Sequence, residues 1–283
     1  MKALSFQFLA MLLMILFVVA CSKTEPGSLT YNFKQGIAEV QLKAFPGSPP
    51  EKIYPNTQFK VIVELDNQAA YDVVEGELSL LGLDPKYFLL YPAEQTFPIL
   101  LGRSFTAPAG EKKFLEFDGT SRELEAGAKE YLSNYFLTLR YNSKVDFVDT
   151  ICLNSNLYDV YDAGCKVQAK KSYSGQGAPL AITTLEEIIT PGASVEFRLQ
   201  VVNRGRGKVK SATLGAAKLG GQEMTCLFPE SGAKMLSFLP EKQEATVICR
   251  ALLRDQGSYT TTLLAEFSYT YEVVQQQKLK LVK

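Results

Sequence analysis

The chain contains no histidine and no tryptophan among its 283 residues. Histidine is the usual general base near neutral pH and the commonest metal ligand, so its absence excludes most hydrolytic triads and most zinc or iron sites. Enzymes that use paired carboxylates remain compatible with this composition. Tryptophan is the residue most used to stack on sugars, and the 14 tyrosines replace it only in part. We therefore expect neither a metal nor a cofactor.

An excess of charge is also lacking, because 30 Lys and Arg balance 30 Asp and Glu. Proteins that bind nucleic acid usually carry a basic excess, so we expect no nucleic-acid partner. The densest basic segment, residues 204–208, alternates charged residues with glycine, and we interpret it as a hairpin with exposed charges. It lacks the Lys-Ser/Thr ending that a phosphate-cradling loop requires.

The sequence does contain an internal repeat. Residues 53–67 read IYPNTQFKVIVELDN, and residues 189–203 read ITPGASVEFRLQVVN. Pro55 corresponds to Pro191 and Asn67 to Asn203, and in each copy four alternating apolar residues lie between the proline and the asparagine. One strand of this kind occurs in any β-sandwich, but two copies in register without a gap predict tandem copies of one domain.

Each copy predicts a turn, a strand and a second turn. Pro55 and Pro191 fix φ just before the strand, where a missing N–H costs little. The period-two alternation places one face of the strand on a core and the other in water. Asn67 and Asn203 end the strand, since asparagine tolerates the left-handed conformation and can hydrogen-bond within its own turn.

The second copy and the residues after it resemble a known family. Pro-Gly, an alternating strand, Asn-x-Gly and a following valine, as in ITPGASVEFRLQVVNRGRGKV, resemble the cell-adhesion-related (CARDB-like) domain of bacteria and archaea. The first copy has Gln68-Ala69 where that family usually has a glycine. The resemblance implies immunoglobulin-like sandwiches of about seven strands and an extracellular location, with no catalytic residues. The whole arrangement is similar to archaeal and bacterial surface lipoproteins.

The start of the chain predicts export and anchoring. Lys2 precedes an apolar run, and Val18-Val19-Ala20-Cys21 resembles the lipobox of lipoproteins. We expect residues 1–20 to be a signal peptide, Cys21 to carry lipid and residues 21–30 to form a polar tether. The alternative is an uncleaved membrane helix, because the run is close to the shortest that spans a bilayer. Either way, we expect a protein anchored in the cell membrane on its extracytoplasmic face.

The remaining cysteines fit an exported protein. An even number of cysteines in such a chain suggests disulfides, and we favour the local pairing of Cys152 with Cys165 and of Cys226 with Cys249. Each bond should contribute about 3 kcal/mol by the chain-entropy estimate. A metal site built from the four thiolates is the alternative, but the close C-x-x-C spacing typical of such sites is missing.

Many short alternating segments separated by turn signals predict an all-β fold. We expect two tandem immunoglobulin-like β-sandwich domains, the first at residues 31–153 and the second at residues 172–283. A cysteine-containing connection, residues 154–171, joins them.

Three segments give more specific expectations. Residues 134–142 and 145–152 each predict a strand, and residues 123–130 favour one helical turn that Gly127 weakens. The basic end, residues 278–283, is expected to be an exposed tail or an edge strand, where lysines discourage aggregation.

The leading hypothesis for function is a non-enzymatic surface lipoprotein that acts in binding, adhesion or envelope scaffolding. Its partner would be a protein or a glycan of the cell envelope. The irregular segments 102–110 and 118–127 are the candidate recognition loops.

Three alternatives fit the sequence less well. An accessory carbohydrate-active or peptidase enzyme would need two acids about 5–10 Å apart across a cleft, whereas the acids here are scattered. A small-molecule receptor usually has a two-lobed α/β body. Calcium could be held by Asn154, Asn156, Asp159 and Asp162, although their spacing matches no calcium loop.

Overall fold

The computed structural model describes residues 32–155, 164–190, 194–229, 231, 235–236, 238, 243–253 and 257–283. Within these ranges the regular structure is all strand, as predicted. None of the described residues forms a helix long and apolar enough to cross a membrane. The predicted signal peptide, Cys21, the tether and Pro191 lie outside the described residues.

Strand bounds follow the alternating segments of the sequence. The strands are β1 Val40–Ala44, β2 Gln58–Asn67, β3 Val73–Leu81, β4 Phe88–Tyr91, β5 Glu94–Leu100, β6 Lys112–Ser121, β7 Glu130–Asn154, β8 Lys170–Ser172, β9 Leu180–Thr190, β10 Ser194–Asn203, β11 Lys208–Leu219, β12 Gln222–Glu223, β13 Thr225–Leu227, β14 Met235–Leu236, β15 Glu244–Leu252 and β16 Ser258–Val282.

Two strands of 25 residues each, β7 and β16, form the centre of the fold. They pair antiparallel over their whole length, from Glu130 opposite Val282 to Asn154 opposite Ser258. At a rise of about 3.3 Å per residue the pair extends about 80 Å. It belongs to a seven-stranded sheet of order β12-β11-β16-β7-β3-β5, in which β14 also pairs with β11.

Two smaller sheets pack on different halves of this ribbon. The four-stranded sheet, β1-β2-β6-β4, meets the first half of β7, where the ring of Phe88 lies 6.4 Å from that of Tyr131. The five-stranded sheet, β13-β15-β10-β9-β8, lies beside the second half, where Tyr173 packs edge-on against Phe147 at 4.9 Å. The fold is therefore a β-sandwich arrangement in which the sheet that contains the two long strands packs against both smaller sheets. The division into domains at residues 31–153 and 172–283 stays a prediction.

The asparagines of the repeat make matching turns. Asn67 Oδ1 accepts the N–H of Ala69 at 3.0 Å, and Asn203 Oδ1 accepts that of Gly205 at 3.1 Å. Each side-chain amide donates to the carbonyl four residues on, Tyr71 in the first copy and Gly207 in the second. The side chain thus replaces backbone hydrogen bonds where the strand ends.

The structure differs from the predicted secondary structure in two segments. Residues 134–142 and 145–152 belong to one strand, because Ser143 faces inward and Lys144 outward and so keep the alternation unbroken. Residues 123–129 form a loop without a helical turn, and Gly127 has a φ of 91°, which a helix does not allow.

The basic end of the sequence is a strand with a buried face. Residues 278–282 continue β16, with Leu279 and Leu281 almost fully buried. The backbone of Ile53 accepts from Val282 and donates to Lys280. These residues therefore complete the packing around the first copy of the repeat.

Both expected disulfides are confirmed. Cys152 of β7 is bonded to Cys165, and Cys226 of β13 is bonded to Cys249, its cross-strand partner on β15. The first closes a loop of 13 residues and the second links two adjacent strands. The alternative metal site of four thiolates is thereby excluded.

We predict that Asn67→Ala lowers the free energy of unfolding by about 2–3 kcal/mol, because it removes donors to the carbonyls of Tyr71 and Leu100 in a fully buried turn. Urea unfolding measures the effect. Asn134→Ala, on an exposed site of β7, is the matched control and should change stability by less than about 0.5 kcal/mol. Equal effects of the two substitutions would contradict the role of the turn.

Candidate binding site

The first predicted recognition loop, residues 102–110, is anchored at both ends. Gly102 N–H donates to the carboxylate of Asp72 at 2.8 Å, and Arg103 N–H donates to the carbonyl of Ala69 at the same distance. At the far end of the loop, Gly110 N–H donates to the carbonyl of Ala107. Between these points Phe105 is 80% exposed, so the loop presents one aromatic ring on a fixed base.

The second predicted segment, residues 118–127, divides into two parts. Asp118 to Ser121 belong to β6 and pair with both β2 and β4. The remainder is a loop in which Glu125 pairs with Lys86. The strand part of this segment borders a groove on the four-stranded sheet.

That groove has a volume of about 690 Å³ and crosses three strands of the four-stranded sheet. It is lined by Gln58, Phe59 and Lys60 of β2, by Leu89, Leu90 and Tyr91 of β4, and by Asp118, Gly119 and Thr120 of β6. The volume lies within the range of small-molecule and anchor-residue sites in proteins.

Strand register brings the side chains of the groove together. Tyr91 lies opposite Asp118, which lies opposite Lys60, and the next row outward is Leu89, Thr120 and Gln58. Alternation puts both rows on the solvent side of the sheet. Tyr91 is 83% exposed and Leu89 is 45% exposed. The result is an aromatic and an aliphatic side chain beside amide, hydroxyl and charged groups.

Close packing between Gly119 and the ring of Phe59 fixes the floor of the groove. A Cβ on Gly119 would lie 2.3 Å from the ring of Phe59, so the ring occupies the space that any other residue would fill. Phe59 also packs edge-on against Phe88 at 6.0 Å. Aromatic packing beneath the groove therefore joins β4 to β2 across Gly119 of β6.

Electrostatics in the groove are balanced. Lys60 Nζ lies 2.7 Å from Glu116 and 3.7 Å from Asp118. The hydrogen bond to Glu116 raises the pKa of Lys60, which therefore stays charged at neutral pH. Asp118 is the one carboxylate among the described lining residues, whereas paired-carboxylate catalysis needs two across a cleft.

Tyr91 and Leu89 lie in the apolar run KYFLLY, residues 86–91, and are not among the recognition residues predicted from the sequence. The signal was present in the alternation. Phe88 and Leu90 lie on the inner side, and Leu89 and Tyr91 are apolar at positions where a half-buried strand is usually polar.

A buried acid lies apart from the groove, on β9. Glu187 is 5% exposed, and its Oε1 atom has no hydrogen-bond partner in the part of the chain that the structure describes. Burial raises the pKa of Glu187 to about 7, and the charge of Lys171 offsets this rise only in part.

Among the described residues, no group of three or more acids or cysteines is placed to hold a metal ion. The calcium alternative depends on Asn156, Asp159 and Asp162, which lie outside the described residues.

No family model and no curated protein matches the chain. Among solved structures it is similar to the E. coli chaperone DraB, at 10% identity and a TM-score of 0.22 over 75% of this chain and 84% of that one. It is also similar to the SafA pilin in complex with the SafB chaperone of Salmonella enterica, at 11% identity and a TM-score of 0.21 over 76% and 86%. A third is the CupB6 tip adhesin of Pseudomonas aeruginosa, at 9% identity and a TM-score of 0.21 over 88% and 98%. At such TM-scores we base no inference on these likenesses.

We predict that Glu187→Gln removes a pH-dependent loss of stability. The folded protein holds this proton up to about pH 7, whereas the unfolded chain releases it near 4.5, so the native state binds more protons between these values. Stability therefore falls as pH rises through this window. The variant should resemble the unsubstituted protein at about pH 4 and be more stable by up to about 3 kcal/mol at about pH 8.

Denaturant unfolding at the two pH values tests this. Glu186→Gln is the matched control, because the neighbouring Glu186 forms a partly exposed ion pair with Lys170. This variant retains Glu187, so its stability should fall with pH as in the unsubstituted protein, and the difference between the two should be small at both pH values. A stability difference between Glu187→Gln and the unsubstituted protein that is the same at both pH values would contradict the buried ionisation.

Proposed function

We propose that the protein is a non-enzymatic binding or adhesion module of the cell envelope and that the groove across β2, β6 and β4 is its binding surface. The observation that carries this proposal is the exposure of Tyr91 and Leu89 within a concave surface whose other outward-facing side chains are polar. Tyrosine is enriched at binding hot spots because it combines a large apolar ring with a hydrogen-bonding hydroxyl.

The rest of the same sheet face supports this assignment by contrast. It carries ion pairs between neighbouring strands, such as Lys112 with Glu64 at 2.8 Å and Lys43 with Asp66 at 3.4 Å. The lysines of these pairs are about half exposed, and such charged side chains keep a sheet face solvated and soluble. Apolar side chains on this face are found at the groove and at the edge-on pair of Phe45 and Phe114. The groove is thus the part of the face best suited to exclude water on binding.

The partner is a protein or a glycan of the envelope. Tyr91 offers a ring for packing, and Gln58, Thr120 and Asp118 offer hydrogen bonds that either kind of partner can use. The export signal and lipidation of Cys21 are part of the same proposal. Two disulfides agree with it, since such bonds form and persist in oxidising compartments outside the cytoplasm.

Photo-crosslinking of the full-length protein on intact cells tests the groove. The crosslinking residue p-benzoylphenylalanine replaces Gln58, which lines the groove, or Val274, which is exposed on the seven-stranded sheet. We expect a specific envelope component to be captured from position 58 and not from position 274, and mass spectrometry then identifies it as protein or glycan. Equal capture from both positions, or none from position 58, would overturn the assignment.

Tyr91→Ala is combined with the crosslinker at position 58 to measure the contribution of the ring. Capture should fall at least about tenfold, as expected for loss of an aromatic hot spot. Leu252→Ala is the matched control, because Leu252 is 68% exposed on β15 of the other small sheet. Separately, Cys21→Ser should abolish lipid incorporation, and loss of capture in that variant would show that anchoring is needed to reach the partner.

A further inference from the structure

A second concavity lies beside the two asparagine turns of the repeat. It has a volume of about 310 Å³ and is separate from the groove. The side chains that matter for its chemistry are those of Glu39, Gln41, Gln68, Arg103, Arg204 and Arg206. Three arginines thus line the site together with two glutamines and one glutamate.

The arginines come from two distant loops. Arg204 and Arg206 belong to the turn after Asn203, whereas Arg103 belongs to the anchored loop after β5 and is held by its N–H on the Ala69 carbonyl. The sequence gives no reason for these loops to meet. A single exposed arginine on a hairpin is common on protein surfaces. Arginines from two separate loops that line one cavity are instead typical of a binding site.

The guanidinium groups retain donors for a ligand. Arg103 gives its Nε to the carbonyl of Pro108 at 2.9 Å and stacks over the ring of Phe33 at 5.1 Å. These contacts fix its plane and leave its two terminal nitrogens without a hydrogen bond among the described residues. Arg204 forms no side-chain hydrogen bond or ion pair within the same part of the structure.

The carboxylate of Glu39 already has hydrogen-bond partners within the protein. It is buried, and its Oε2 atom accepts from the hydroxyl of Tyr271 at 3.1 Å and from the N–H of Arg206 at 3.0 Å. A Cβ on Gly205 would lie 2.6 Å from this oxygen, so glycine is needed for the turn to rest on it. Glu39 therefore positions the arginine turn, and the Arg206 Nε atom lies 3.9 Å from its other oxygen.

A second acid near the site, Asp66, is paired through its Oδ2 atom, whereas its buried Oδ1 atom has no hydrogen-bond partner among the described residues. Asp66 accepts from the side-chain amide of Gln68 at 3.1 Å and lies 3.4 Å from Lys43 and 3.7 Å from Lys112. Three arginines against one engaged carboxylate leave the cavity with an excess of positive charge. The amide of Gln41 makes no hydrogen bond to the described residues and adds an uncharged donor.

We propose that this cavity binds a tetrahedral oxyanion, a phosphate or sulfate group that is either free or an ester. Guanidinium groups bind such anions through paired N–H donors and remain charged at every relevant pH. Recognition here uses side chains from two loops, so it does not need the Lys-Ser/Thr ending of a phosphate-cradling loop, which residues 204–208 lack. The site is distinct from the proposed groove and does not depend on it.

Isothermal titration calorimetry of the full chain with sodium phosphate, sodium sulfate and glycerol 1-phosphate tests the proposal at constant ionic strength. We expect saturable binding of at least one anion, weakened at least about tenfold by Arg204→Gln and by Arg103→Gln. Tighter binding of the inorganic ions indicates a free anion as ligand, and tighter binding of glycerol 1-phosphate indicates an ester.

Lys208→Gln is the matched control, since it removes one positive charge from the same hairpin without lining the cavity. It should weaken binding less than about twofold, as expected for a screened charge outside the site. Circular dichroism checks that each variant is folded. Absence of saturable binding for all three anions, or an equal loss in Lys208→Gln and Arg204→Gln, would overturn the proposal.

Discussion

The unbroken pairing of β7 with β16 is the constraint on which the other contacts depend. Successive side chains alternate between faces, so a single register decides what is buried along the whole ribbon, and a slip of one residue would reverse every assignment. Tyr141 and Tyr271 show this near the middle. They are direct cross-strand partners, both are fully buried, and their ring centroids lie 5.6 Å apart.

Core packing and the proposed anion site share residues. Tyr271 is buried as part of the ribbon, yet its hydroxyl accepts the N–H of Gly207 at 2.8 Å and donates to Glu39. The turn that carries Arg204 and Arg206 is therefore attached to the centre of the sheet. Burial and the nearby charge of Glu39 raise the pKa of Tyr271, so its hydroxyl stays protonated and able to donate.

Local structure could be predicted where it depends on alternation. β2 and β10 end at Asn67 and Asn203, as the repeat predicted, and the cysteine pairs follow from their local spacing. Asparagine at a strand end also predicted a side-chain turn. These features are set by neighbours in the chain, which a single sequence displays directly.

Features that depend on strand order could not be predicted. Nothing in the local pattern shows that residues 278–282 pair with residues 130–134 or that Arg103 lies near Arg204. The same limit hid the groove, because Tyr91, Asp118 and Lys60 become neighbours only through the register of three strands. Long-range pairing is decided by packing over the whole sheet rather than by local preference.

The burial of Leu279 and Leu281 beside Ile53 has a consequence for biosynthesis. Because a ribosome makes the chain from its amino terminus, the packing around the first copy of the repeat stays incomplete until residue 281 has been made. Until then the early strands leave apolar side chains exposed, and such intermediates are prone to aggregate. Closure of the packing around the first copy of the repeat is therefore expected to be a late event in folding.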